Sequence, residues 1–255
     1  VFALTFPPLG HIVDWPGFAG TEGQLYEINK VVLVYAFGVA LTLLVFILGN
    51  KKQLVPSGAQ NLAEISVEFI EEQIVAPTIG TDLKGKGWAP FMLSLFLFIF
   101  FTNIFEVIPF IQMPASARIA LPMLLALTCY VIYHGAGFKE HGPGYIKHAL
   151  VPPGVPVALL MLVVPIEFVS KFLVQPFSHT VRLFANLLAG HILLVTFAVL
   201  SAALWNASWT VVFLPLPAFA MVFFVAFEVL VSFLQAYVFT LLAGVYIGSA
   251  VSHEH

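Results

Sequence analysis

Charge is scarce in this chain. Asp, Glu, Lys and Arg make up only 9% of it, ten basic residues against thirteen acidic, with a formal net charge of -3. A charge so small and scattered excludes a nucleic-acid surface or a polybasic tail. The single cysteine, Cys129, lies inside an apolar run, which excludes an internal disulfide and any multi-thiolate metal site. No internal repeat or low-complexity segment stands out. Val1-Phe2-Ala3 opens without the basic n-region and small-residue cleavage pattern of a signal peptide. What is abundant is hydrocarbon: 60% of the 255 residues are hydrophobic, and the mean hydropathy is +1.01. That is far above an ordinary soluble domain. Lipid is the solvent this composition fits, and the partners it implies are the bilayer and other membrane subunits.

Residues 1–30 read as an external N-terminal segment, polar and aromatic, punctuated by Pro7, Pro8, Pro16 and Gly17 and carrying Asp14, Glu22 and Glu27. A hydrocarbon core of about 30 Å needs roughly 20 apolar residues in a helix. Residues 31–49 meet that between Lys30 and Lys51-Lys52. Over 57–77 the pattern changes: Glu64, Glu68, Glu71 and Glu72 share one helical face, and Leu62, Ile65, Phe69 and Ile70 another. This predicts an amphipathic surface helix ending near Pro77. Residues 88–138 hold two spans, 88–110 and 119–138, the first interrupted by Asn103 and Glu106, with Pro114 and Arg118 in the linker. A Gly/Pro-rich loop over 139–156 is expected on the cytoplasmic side.

The stretches 157–205 and 209–252 are each twice as long as an upright span, separated only by Asn206-Ala207-Ser208. Turn signals within them are few: Pro165, Pro176, Pro215 and Pro217. The fold class is therefore an all-α integral membrane protein, with upright transmembrane helices, an amphipathic surface helix and a long, strongly tilted C-terminal hairpin over 157–252. Lys51, Lys52, Lys84, Lys86, Lys139 and Lys147 fall on one side of this threading, against Lys30 and Arg118 on the other. That predicts an external N-terminus and a cytoplasmic C-terminus.

Arg182, Asn186, His191, Glu228 and Gln235 lie deep in the hairpin. An arginine there costs about 3 kcal/mol or more, so it must be paired, hydrated or functional. Its guanidinium keeps its proton, so Arg182 acts as a fixed charge and not as a relay. The plain alternative is a bundle salt bridge with Glu167 or Glu228. At about 100° per residue Asn186 shares the Arg182 face while His191 points away from it. Glu228, Ser232 and Gln235 form one stripe. With Gln235 beside Arg182 in an antiparallel hairpin, Glu228 falls opposite residues 189–191, where a carboxylate and an imidazole suit a water-linked proton path. On the bland reading, His191 is a satisfied core histidine and Gln235 is interhelical glue.

The string Arg182-Leu183-Phe184-Ala185-Asn186-Leu187-Leu188-Ala189-Gly190-His191, followed by Leu234-Gln235-Ala236-Tyr237-Val238-Phe239 and by Val245-Tyr246, resembles the two C-terminal helices of subunit a of the rotary F-type ATP synthases. Asn103, Glu106 and Pro109 resemble the polar end of an earlier helix in that family. The resemblance implies a stator, not catalytic alone, with two offset half-channels against a ring of c subunits. Its other partners would be b-type peripheral stalk subunits and the remaining ATP synthase subunits. Arg182 would be the essential cation. His191, Glu228, Asn186, Gln235, Glu167, Asn103, Glu106 and Ser232 would serve the half-channels, with no cofactor and no metal. Some members exchange the acid and the imidazole that stand here as Glu228 and His191. Glu167 stands one residue further from Pro176 than its counterpart in some relatives. The membrane expected is the bacterial plasma membrane, with the mitochondrial and thylakoid membranes as alternatives.

Residues 80–87 nearly spell a phosphate-binding loop, but Gly87 replaces the Ser/Thr and the flanks are not strand and helix. Gly244 and Gly248 are a small-xxx-small pair, a sign of close helix packing. Two other functions compete. A secondary transporter with Arg182 on an anionic substrate would show matching half-sequences, and none is visible. A membrane scaffold would not need so many buried polar groups.

Overall fold

A computed structural model describes residues 30–49, 58–108, 111, 115–151, 155–205 and 209–252. The N-terminal segment with Asp14, Glu22 and Glu27, the pair Lys51-Lys52, Pro109, Pro114, the 206–208 connection and the side chain of Lys84 lie outside the described residues. Among the described residues all regular structure is helical. Helix α1 is Lys30–Gly49. Helix α2, Ala59–Ile70, runs through a π turn, Glu71–Val75, into Ala76–Thr78. Short α3 is Leu83–Lys86, and α4 is Ala89–Ile104. Helices α5, Ala120–His141, and α6, Tyr145–Leu150, follow. Helix α7, Val157–Val169, passes through a second π turn, Ser170–Val174, into α8, Gln175–Leu204. Last comes α9, Pro215–Val251.

Among the described residues, four helical stretches are long and apolar enough to cross a membrane: Lys30–Gly49, Ala120–Lys147, Val157–Leu204 and Trp209–Val251. The C-terminal pair is continuous, as the sequence predicts. Val157–Leu204 has 48 residues, about 70 Å of helix, and α9 has 37, about 55 Å. The four prolines do not break them. Pro215 and Pro217 sit in the first turn of α9, where a missing N–H removes no helical bond. Pro176 deprives the Phe172 carbonyl of its usual donor, and the chain opens there into the π turn. Pro77 stands in the same relation to the turn at Glu71–Val75.

Helix α4 is shorter than the expected span 88–110. It ends at Ile104, where the bonds Glu106 N–H to Asn103 O and Val107 N–H to Ile104 O tighten and close it. Pro109 ahead disfavours further helix. Glu106 thus stands in a turn.

The described residues form two compact units. One draws on the described residues of 30–42, 98–118 and 183–235, the other on those of 43–97, 119–182 and 236–252. In the first, Val31 and Val34 pack with Phe105 and Ala115, and the Tyr35 hydroxyl donates to the Ala115 carbonyl at 2.8 Å. That bond ties α1 to the short 3-10 turn Ala115–Ala117. The α8 and α9 segments of this unit run antiparallel, with Phe197 stacked on Phe224. Trp205 and Trp209, each 75% exposed, flank their tip.

In the second unit Ala63, Ile70 and Ile74 of the surface helix are buried, and Phe69 packs on Phe96 and Tyr237. Leu62 and Ile65 point outward beside the exposed Glu64 and Glu68. A Cβ on Gly248 would strike the Thr78 carbonyl, and one on Gly244 the Thr78 hydroxyl. The close packing of this pair, expected within the hairpin or against a neighbour, is against the helical turn Ala76–Thr78. At 80–87, Asp82 caps α3 by accepting from Gly85 N–H at 3.0 Å, so a carboxylate already occupies the donor a phosphate would need.

Candidate functional site: a buried polar cluster and an arginine helix

The first unit gathers most of the residues singled out in the sequence. Asn103, Glu106, His191, Glu228, Ser232 and Gln235 are all buried, although they come from the end of α4 and from two long helices. Of the expected α8–α9 register, the crossing of Glu228 within 189–191 is found, while Gln235, expected beside Arg182, pairs with Asn186 instead. Asn186 Nδ2 donates to Gln235 Oε1 at 2.8 Å, and Glu228 crosses at Gly190, where any Cβ would collide with its carboxylate. Only glycine lets the acid lie against the neighbouring backbone.

The partner of His191 is a finding. Its Nδ1 stands 3.3 Å from Glu106 Oε1, an ion-pair distance outside hydrogen-bond alignment. Glu228, expected to be its carboxylate, is instead within electrostatic reach of Glu106. Two acids and one imidazole therefore share the space.

Sequence reasoning missed Ser116, which is fully buried and whose hydroxyl donates to Asn103 Oδ1 at 3.0 Å. It comes from a three-residue turn with no periodicity to read. The cluster retains polar atoms without a hydrogen-bond partner among the described residues: Asn103 Nδ2, both Glu106 oxygens, Glu228 Oε2, Ser232 Oγ and Gln235 Nε2. Buried polar groups are ordinarily satisfied, and water is the partner that can move.

The second unit holds Arg182 and Glu167. Arg182 is partly buried, with His179 and Tyr246 within electrostatic reach. His179 lies one turn earlier and edge-on to Phe239, with ring centroids 3.8 Å apart. Glu167 pairs with Lys171 at 3.2 Å, so the bundle salt bridge Arg182–Glu167 is not the one made. Asn186 stands one turn beyond Arg182 on the same helix.

Buried acid, imidazole and amide groups on and beside membrane-length helices are the marks of a polytopic membrane protein that moves an ion. Residues 31–248 match the family model described as "ATP synthase A chain". The chain is 37% identical over 235 residues to ATP synthase subunit a of Rhodococcus erythropolis, covering 90% of this chain and 85% of that one. It is 36% identical to the Nocardioides sp. protein of the same name, over 98% of this chain and 94% of that one. For the Streptomyces lividans protein the identity is 34%, over 99% and 94%. The chain belongs to the ATP synthase A chain family. It is a multi-pass membrane protein, and its work is proton translocation as the stator subunit of the Fo sector.

Proposed function

We propose that this stator carries two offset aqueous half-channels and that Arg182 stands between them, facing a ring of c subunits. One half-channel is lined by Asn103, Glu106, His191, Glu228 and Ser232, with Asn186 and Gln235 beside the arginine. Glu167 serves the other. The observation that supports this most is the buried grouping of Glu106, His191 and Glu228 with unmet hydrogen-bonding capacity. Water there can hand protons between an acid and an imidazole. Arg182 keeps each arriving ring carboxylate ionised and so prevents direct passage between the half-channels. The ring, b-type stalk subunits and the remaining ATP synthase subunits are the partners. The membrane is the bacterial plasma membrane, with the N-terminus outside.

Inverted vesicles carrying the assembled enzyme test this reading. Arg182→Ala is expected to abolish ATP-driven acidification while passive proton permeability persists, and Arg182→Lys to couple poorly, because an ammonium lacks the planar fork and can lose its proton when desolvated. Acidification at the wild-type rate in Arg182→Ala would sink the gate. Normal flux in an assembled double variant, Glu228→Leu with His191→Leu, would reduce that pair to packing.

A further inference from the structure

Lys171 lies in the π turn between α7 and α8, and it is held at both ends. Its Nζ donates to the Ala149 carbonyl at 2.6 Å and stands 3.2 Å from Glu167 Oε2. Its own carbonyl lies 3.3 Å from the Tyr133 hydroxyl, which is also 3.4 Å from Gln175 Oε1. Ala149 is in the last turn of the six-residue helix α6, among the carbonyls a helix end leaves unpaired. One ammonium therefore joins Glu167 to a separate cytoplasmic-loop helix, while α5 pins the backbone it hangs from.

Stability alone is a poor reason for such a pair. Both side chains are about one-third exposed, at 33% and 29%, and ion pairs this open contribute roughly 0–1 kcal/mol. What the arrangement does achieve is placement. A glutamate has three rotatable bonds, and a partner fixed from two other helices selects one position while leaving the carboxylate open to water. The π turn matters as well. It inserts one residue into the helix, so Lys171 reaches Glu167 across four positions while α8 beyond keeps its own phase.

We infer that Lys171 is a positioning residue: it holds the Glu167 carboxylate at the mouth of its half-channel and couples that acid to the Tyr145–Leu150 helix. This rests on the reading of Glu167 as a half-channel residue. A cycle of variants in the intact ATP synthase tests it, with passive proton permeability of F1-stripped vesicles and ATP-driven acidification both measured per assembled complex.

Glu167→Gln and Lys171→Gln are each expected to slow flux by about tenfold, the scale of a hydrogen bond to a charged group. The double variant should be no slower than the slower single, since both break one unit. Lys171→Arg should recover most of the flux. Multiplying losses in the double variant, or wild-type flux in Lys171→Gln while Glu167→Gln is slow, overturns the inference and leaves the reading of Glu167 standing. Wild-type flux in Glu167→Gln removes that reading and the inference with it. Lys171→Met is the second neutral variant. If neither neutral variant assembles, Lys171 is a folding residue and the inference is overturned.

Discussion

Glu106 is the residue whose role changes most between sequence and structure. In the sequence it interrupts an apolar span; in the structure it is the acid facing His191 and is 2% exposed. Glu106→Gln keeps the volume and removes the charge, so proton flux should fall about tenfold or more with assembly retained, as expected for loss of a charged partner. Ser116→Ala releases only a neutral bond to Asn103, and a loss of about fivefold is expected. Passive permeability per assembled complex measures both, and unchanged flux in Glu106→Gln would make that acid a packing residue. The crossing of Glu228 at Gly190 was legible because it follows from counting along continuous helices, whereas the Asn186–Gln235 bond was not, since counting placed Gln235 beside Arg182. The His191 partner was not, because Glu106 arrives on a turn from a remote helix and no periodicity links the two.

At the scale of elements, the long hairpin was legible from length alone, whereas the π turns were not. An apolar run with a proline reads the same whether the helix kinks, breaks or widens. At Pro176 the widening at Ser170–Val174 decides which residues of α7 share a face with those of α8. A π turn amounts to one extra residue in an α-helix. Deleting Leu173 should therefore return that turn to regular helix, with the complex still assembling and retaining part of its acidification. Deleting Leu194, in the regular part of α8, rotates one flank by about 100° against the other and should abolish both. Equal loss from the two deletions, read from the amount of complex and from acidification, would show that the turn has no slack. The early end of α4 was likewise hidden, although Pro109 was its signal.

For the molecule as a whole, the charge distribution sets the expected orientation: the lysines at 51, 86, 139 and 147 share one side, and Asp14 is on the other. Single cysteines at Asp14, Lys51 and Lys147, placed in a chain with Cys129 replaced and treated in intact cells with an impermeant reagent, check this. Labelling is expected at position 14 only; labelling at 14 and 51 together would overturn the crossing count. The hairpin tip carries another consequence. Of the chain's four tryptophans, two flank that tip with three-quarters of their surface open. With Trp15 and Trp88 replaced by phenylalanine, the indole emission comes from one end of the C-terminal helices, and collisional quenchers carried at different levels of a lipid chain report how deeply that end sits in the bilayer without any dye attached.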